Sequence, residues 1–137
     1  MNNKVSGRCL CGSVVYEYTG SVGPANYCYC EDCRRVTGSA FNIGVRFHLA
    51  ELRITRGRLK GYTKRGESGN ELTRHFCPEC GSPIYTSSPK HPEYVYVKAG
   101  TLDDPGVVKP THRNWLVSEV SWSHPPRGIR SFQRGTE

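Results

Sequence analysis

The feature that most constrains the fold of this chain is the grouping of its seven cysteines into three tight clusters. The spacings are C-x-C from Cys9, C-x-C-x-x-C from Cys28 and C-x-x-C from Cys77. So many thiols in 137 residues can indicate a secreted disulfide framework. The odd count, the tight spacings and the lack of an apolar stretch in MNNKVSGRCLCG favour metal ligands in a reducing compartment. The sequence therefore predicts a cytoplasmic protein.

The first and last clusters have similar neighbours. Each is a pair closed directly by glycine, in CLCG and in CPECG. Glycine permits a tight turn in which backbone N–H groups approach the thiolate sulfurs. Two such pairs supply the four ligands of a tetrahedral structural zinc, which would clamp the first strand to the middle of the chain. The predicted ligands are Cys9, Cys11, Cys77 and Cys80.

The middle cluster differs from the other two. Cys28, Cys30 and Cys33 lie in NYCYCEDCRR and are followed by Arg34 and Arg35 instead of glycine. Three ligands leave a tetrahedral position open, as in catalytic zinc sites. A helix beginning near Cys30, together with the two arginines, would lower the thiol pKa values and attract anions. Two alternatives stay open: a closed zinc site that recruits a fourth ligand such as histidine, and a redox role without metal.

The rest of the chain consists of short alternating segments separated by frequent glycine and proline, with 15 and 9 copies. This pattern predicts a mainly β, mainly antiparallel single domain over residues 1–137, with its core at about 5–123. The tail at 124–137 is expected to lie on the surface, with its last few residues disordered. CEDCRRVTG predicts one short helix. The predicted strands lie in SVVYEYTG, FNIGVRFHL, LRITRG, LKGYTKR, ELTRHFC, PIYTSS, EYVYVKAG and NWLVSEV.

The charge of the chain restricts its partners. The formal net charge is +7, and it falls to about +4 if seven thiolates hold two zinc ions. This excess favours small anionic partners, but there is no Lys/Arg run of the kind that marks a nucleic-acid patch, so we expect no nucleic acid. No apolar run reaches 18 residues, so we expect no membrane span. The oligomeric state is left open.

Four stretches carry a family resemblance: GRCLCGSVVYEYTG, CYCEDCRRVTGSAF, RHFCPECGSPIYT and VKAGTLDD. From about Gly7 to Trp122 the chain resembles the glutathione-dependent formaldehyde-activating enzyme family, which includes centromere-protein-V-like proteins. The resemblance implies an antiparallel β-tent (Mss4-like) fold stapled by zinc. It also implies a structural zinc on the four-cysteine set and a catalytic zinc on Cys28, Cys30 and Cys33. The chain differs from the family pattern at Tyr29, where the family usually has histidine.

The activity that the resemblance implies is that of a carbon–sulfur lyase. It would form or cleave S-hydroxymethylglutathione, with a small thiol such as glutathione and an aldehyde such as formaldehyde as substrates. Arg34 or Arg35 would bind a carboxylate of the thiol. Phe41 either lines the pocket or belongs to the core, and His112 would transfer a proton or act as a fourth ligand. The alternative is a non-catalytic, zinc-stapled binding module of the same fold.

Overall fold

The computed structural model describes residues 4–134, which form ten β-strands, one α-helix and four short 3-10 turns. The mainly β prediction is confirmed, and so is the single short helix, α1 (Glu31–Thr37). The strands are β1 (Val5–Arg8), β2 (Val15–Tyr18), β3 (Ala25–Cys28), β4 (Asn42–His48), β5 (Leu52–Arg56), β6 (Lys60–Arg65), β7 (Glu71–Phe76), β8 (Pro83–Ser87), β9 (Tyr94–Lys98) and β10 (Pro110–Asn114).

The strands form two sheets. The smaller sheet has the order β1-β2-β5, and the larger has the order β10-β3-β4-β9-β8-β7-β6. Neighbouring strands are antiparallel except for β10, which lies parallel to β3. The larger sheet therefore carries β3, the strand that ends in Cys28, near one edge and β7, the strand that leads to Cys77, near the other.

Large side chains from both sheets share one core. Tyr16 and Tyr18 of β2 are fully buried together with Val45 and Phe47 of β4. The ring of Tyr18 stacks on that of Phe47, with centroids 3.8 Å apart and planes 3° from parallel. The alternation predicted for both strands places these residues on inward faces, as the period of two requires.

The strand predicted in NWLVSEV is wrong. Trp115 has a φ of 63°, the left-handed region that a non-glycine side chain rarely adopts, and Leu116–Ser118 forms a 3-10 turn. The strand lies just before this segment, at Pro110–Asn114, where a proline is tolerated because β10 is at the edge of its sheet. The reversal at Trp115 ends the strand before the apolar residues that suggested it.

Helix α1 begins and ends where the sequence predicts. The N–H of Cys33 donates to Cys30 Sγ at 3.3 Å, which caps the first turn, and Glu31 and Asp32 stabilise that positive end. Gly38 ends the helix in the left-handed conformation. The helix is also attached to β6, because the ammonium of Lys64 lies 2.9 Å from a carboxylate oxygen of Asp32.

The expected tail is exposed throughout its described part, 124–134, and contains no strand or helix there. The expectation of disorder in the last few residues concerns 135–137, which lie outside the described residues, as do 1–3. Among the described helices, none combines the length and apolar character that a membrane crossing needs.

Candidate metal centres and the three-thiol site

The fold gathers the seven cysteines into the two groups expected from their neighbours. Within each group all the sulfur atoms lie within 4.8 Å of one another, and all seven thiols are free of disulfides. We call the groups the four-thiol set and the three-thiol set. The four-thiol set is Cys9, Cys11, Cys77 and Cys80. The three-thiol set is Cys28, Cys30 and Cys33.

The spacing within the four-thiol set suits a tetrahedral metal. The Sγ of Cys11 lies 3.7 Å from that of Cys9 and 3.9 Å from that of Cys77. A regular tetrahedron with zinc–sulfur bonds of about 2.3 Å has sulfur–sulfur edges of about 3.8 Å. The donor set and its spacing therefore fit zinc.

Both cysteine pairs in this set close with the predicted glycine turn. Gly12 and Gly81 have φ values of 80° and 79°, which favour glycine. The N–H of Gly12 donates to the carbonyl of Cys9 at 3.2 Å, and that of Gly81 to the carbonyl of Cys77 at 2.9 Å. The turns fold each chain segment around its own sulfur atoms.

Backbone amides point at the buried sulfurs of the four-thiol set. The N–H of Val14 donates to Cys9 Sγ at 3.3 Å. Those of Glu79 and Cys80 donate to Cys77 Sγ, both at 3.4 Å. Donation of this kind stabilises negative charge on a sulfur, so these bonds favour the thiolate form that a metal binds.

Two serines around this set were missed by the sequence analysis. The hydroxyl of Ser13 lies 3.1 Å from Cys11 Sγ and 3.2 Å from Cys77 Sγ. The hydroxyl of Ser82 lies 3.2 Å from Cys80 Sγ, and this contact lowers the pKa of that thiol to about 5. Each serine lies two residues after a cysteine of the set, a spacing that could have identified them.

The three-thiol set is assembled where β3 passes into α1. Cys28 ends the strand, Cys30 caps the helix and Cys33 lies one turn further on, all half-buried. Hydrogen bonds from Cys28 and Cys33 hold the pKa of the Cys30 thiol far below its usual range, at about 2. Hydrogen bonds with Cys28 and with Cys30 raise the pKa of Cys33. The set thus readily holds negative charge at Cys30.

A fourth ligand does not join these three sulfurs within residues 4–134: no histidine, aspartate, glutamate or further cysteine belongs to the group. His112 is exposed on β10, where its Nδ1 lies 2.9 Å from the hydroxyl of Thr111. The described residues therefore provide no support for the closed-site alternative. A tetrahedral ion held by this set would keep one position for another ligand.

Phe41 lies between the core and a surface cleft of about 400 Å³. Its ring contacts those of Tyr27 and Tyr29, with centroids 5.2 Å and 5.4 Å away, and it is half-buried. Tyr29, at the position where the family usually has histidine, is 1% exposed. Phe41 was expected either to line a pocket or to belong to the core. Its ring does both, because one side packs on the tyrosine rings and the other lines the cleft.

The two arginines after the cluster lie on α1. Arg35 is exposed, and its guanidinium lies 3.1 Å from a carboxylate oxygen of Glu31, one turn earlier. Arg34 is half-buried, and its carbonyl accepts the hydrogen bond that ends the helix. Arg35 lines a groove on one side of α1, and Arg34 is not among the residues that line that groove.

Two buried cations beside the three-thiol set were also missed. Arg74 of β7 and Lys98 of β9 are each 8% exposed. The charge of Arg74 lowers the pKa of Cys30. Burial lowers the pKa of Lys98, and the charges of the three thiols oppose that effect. Arg74 lies between Leu72 and Phe76 on one face of its strand, and a charged residue among apolar ones was the available signal.

Comparisons with known proteins cover most of the chain. The family model described as glutathione-dependent formaldehyde-activating enzyme matches residues 4–118, which include all seven cysteines. A Halomonas elongata protein named "Putative glutathione-dependent formaldehyde-activating enzyme" is 31% identical over 125 residues, covering 84% of this chain and 75% of that protein. A crystal structure of a Rhodobacter sphaeroides protein aligns with a TM-score of 0.59 at 27% identity, covering 79% of this chain and 98% of that one.

Proposed function

This chain belongs to the glutathione-dependent formaldehyde-activating enzyme family, and we propose that it is a zinc-dependent enzyme of the carbon–sulfur lyase type. It acts in the cytoplasm on adducts of a small, glutathione-like thiol and an aldehyde such as formaldehyde. One observation carries the proposal: the three-thiol set is separate from a four-thiol set that already has a full tetrahedral complement. Each chain would hold two zinc ions, one structural and one catalytic.

Zinc held by Cys28, Cys30 and Cys33 would supply Lewis acidity and favour the thiolate form of a substrate thiol. In the forward direction the substrate sulfur attacks the aldehyde carbon. A carbon–sulfur bond forms, the π pair of the carbonyl moves to its oxygen, and that oxygen takes a proton to give the hydroxymethyl product. The reverse sequence cleaves the carbon–sulfur bond.

The surroundings of the three-thiol set suit this reaction. Lys98 lines the cleft beside α1, so its ammonium can stabilise the negative charge that develops on the aldehyde oxygen. Phe41, backed by the buried ring of Tyr29, forms an apolar wall of this cleft that limits water there. Arg34 and Arg35 are proposed as contacts for a substrate carboxylate, and His112, exposed to solvent, as a residue that exchanges protons with it.

The test is an assay of thiol–aldehyde exchange with zinc-loaded protein, since the reaction also proceeds without an enzyme. Exchange NMR of glutathione and formaldehyde should show faster interconversion with the wild type. Cys30→Ser should reduce the rate to the uncatalysed value while circular dichroism stays native. Arg65→Gln, an exposed change on β6, should keep the wild-type rate. A fully loaded wild type that accelerates no thiol–aldehyde pair would instead favour the non-catalytic binding module.

A further inference from the structure

A second depression lies against α1, between the helix and strands β6 and β7. This groove has a volume of about 270 Å³. The helix contributes Asp32, Arg35 and Val36 to the groove and Cys33 to the three-thiol set, so the two share this helix. The groove is lined by Asp32, Arg35, Val36, Tyr62, Lys64 and Arg74.

Two of the three cations in the groove already have an acidic partner. Arg35 pairs with Glu31 at 3.1 Å, and Lys64 pairs with Asp32 at 2.9 Å. Arg74 is the exception: among the described residues 4–134 its guanidinium makes no hydrogen bond or ion pair, and its nitrogen atoms reach solvent, because no buried side-chain nitrogen there lacks a partner. It is nevertheless only 8% exposed, and a guanidinium carries five N–H donors.

The guanidinium is unpaired and faces the groove, so an anion that enters the groove would make a charge-assisted contact with it. Lys98 is equally buried but, unlike Arg74, has a partner: its Nζ donates to Asn42 Oδ1 at 2.6 Å. The Cys30 thiolate is close enough for Arg74 to act on it electrostatically, but the two make no hydrogen bond. The donors of Arg74 therefore remain available to a ligand.

The shape and chemistry of the groove define that ligand. A planar guanidinium binds a carboxylate through two parallel hydrogen bonds. Tyr62 and Val36, which are 61% and 37% exposed, offer apolar surface to the hydrocarbon part of a ligand. The three-thiol set lies beside the groove, so one small molecule can present its sulfur to the thiols and its carboxylate to Arg74.

We propose that Arg74 determines specificity by binding a carboxylate of the substrate thiol in this groove. The inference rests on the proposed function, because it assigns the second end of the molecule whose sulfur reaches the three-thiol set. The contact between Arg74 and the carboxylate selects thiols that carry a carboxylate over neutral thiols of the same size.

Isothermal titration calorimetry with zinc-loaded protein tests this selection without any need for turnover. The probes are N-acetylcysteine and its amide, which differ in the carboxylate alone. The wild type should bind the acid roughly tenfold or more tightly than the amide. Arg74→Gln should abolish the preference by weakening the acid while leaving the amide within about twofold of its wild-type affinity. The matched control Arg65→Gln should retain the preference.

Two results would overturn the inference. In one, the preference for the acid survives in Arg74→Gln. In the other, the acid and the amide weaken equally, which would mean that Arg74 only balances the charge of the thiols. Arg74→Lys, which keeps the charge but loses the fork, gives a second reading if the glutamine variant folds poorly. It should bind the acid more weakly than the wild type does and the amide equally well.

S-methylglutathione separates failure of the inference from failure of the proposed function. This thioether keeps both carboxylates but cannot undergo thiol chemistry. If no free thiol binds through its sulfur, the proposed function fails, yet binding of the thioether should still depend on Arg74. If the thioether binds the wild type and Arg74→Gln equally, or binds neither, the carboxylate site does not exist.

Discussion

Lys98 shows how a single residue accommodates a buried charge in this fold. Its ammonium donates to Asn42 Oδ1 over 2.6 Å, and burial lowers the pKa of this lysine. A contact this short is typical of a charge-assisted hydrogen bond. Asn42 lies on β4 opposite Cys28 of β3, so the pair links β9 through β4 to the strand that ends in the three-thiol set.

The first prediction concerns this pair. Asn42→Ala should lower the free energy of unfolding by about 2 kcal/mol, because a buried charged donor loses its partner. Adding Lys98→Met to that variant should recover part of the loss, since the donor is then absent. Urea unfolding of the zinc-loaded proteins measures both. A value for Asn42→Ala within about 0.5 kcal/mol of the wild type, the usual range for neutral surface changes, would show that the pair is unimportant for stability.

At the scale of elements, α1 depends on its ends. A seven-residue helix is too short to be stable alone, so its capping and its contacts with the sheet maintain it. Cys30 caps the start and Gly38 ends it with φ at 66°. The position of Cys33 relative to Cys30 is therefore fixed by the same hydrogen bonds that form the helix.

The second prediction isolates the helix end. Gly38→Ala should destabilise the protein by about 1 kcal/mol, because a Cβ disfavours the left-handed conformation, although it would meet no atom within 4 Å. Gly100→Ala is the matched control: its added Cβ also meets nothing within 4 Å, and its φ is not positive. Thermal unfolding should separate the two variants. Equal midpoints would contradict the assignment of Gly38 as the cap.

Elements whose signal is local could be predicted from the sequence. The alternation around Tyr16 and Tyr18 identifies β2, and the acids before the arginines identify α1. NWLVSEV was mistaken for a strand because its apolar residues alternate, whereas the conformation of Trp115 that breaks the strand leaves no trace in the sequence. β1 and β3 were not predicted, because VSGR and ANYC carry fewer large apolar side chains than VYEY of β2.

For the whole molecule, the partition of the cysteines could be read from the residues after each cluster. The buried cations could not, because Arg74 and Lys98 are distant in sequence and meet α1 only through the register of β7, β8 and β9. Strand register depends on contacts between distant parts of the chain. The sequence alone therefore does not show which side chains lie near Arg74. The sequence thus indicates which thiols group together but not the charges around them.

The third prediction concerns the core between the two sheets. Tyr16 is fully buried, its hydroxyl lies 2.8 Å from that of Thr101, and burial raises its pKa from 10.0 to about 12. The unfolded chain releases this proton near pH 10, so the stabilisation is complete below that pH and is lost as pH rises towards 12. Between pH 9 and pH 12 the wild type should lose roughly 2–3 kcal/mol more than Tyr16→Phe does. The same loss in both proteins would contradict this.

The separation of a closed four-thiol site from an open three-thiol site is the central claim, and the zinc content of the native protein tests it most directly. Native mass spectrometry should find two zinc ions per chain in the wild type and one in Cys30→Ser, whose fold is retained. Cys77→Ser should lose the structural ion and much of its stability, because that ion joins β1 to the turn between β7 and β8. A wild type that holds one zinc, with Cys28, Cys30 and Cys33 all open to alkylation, would contradict the account.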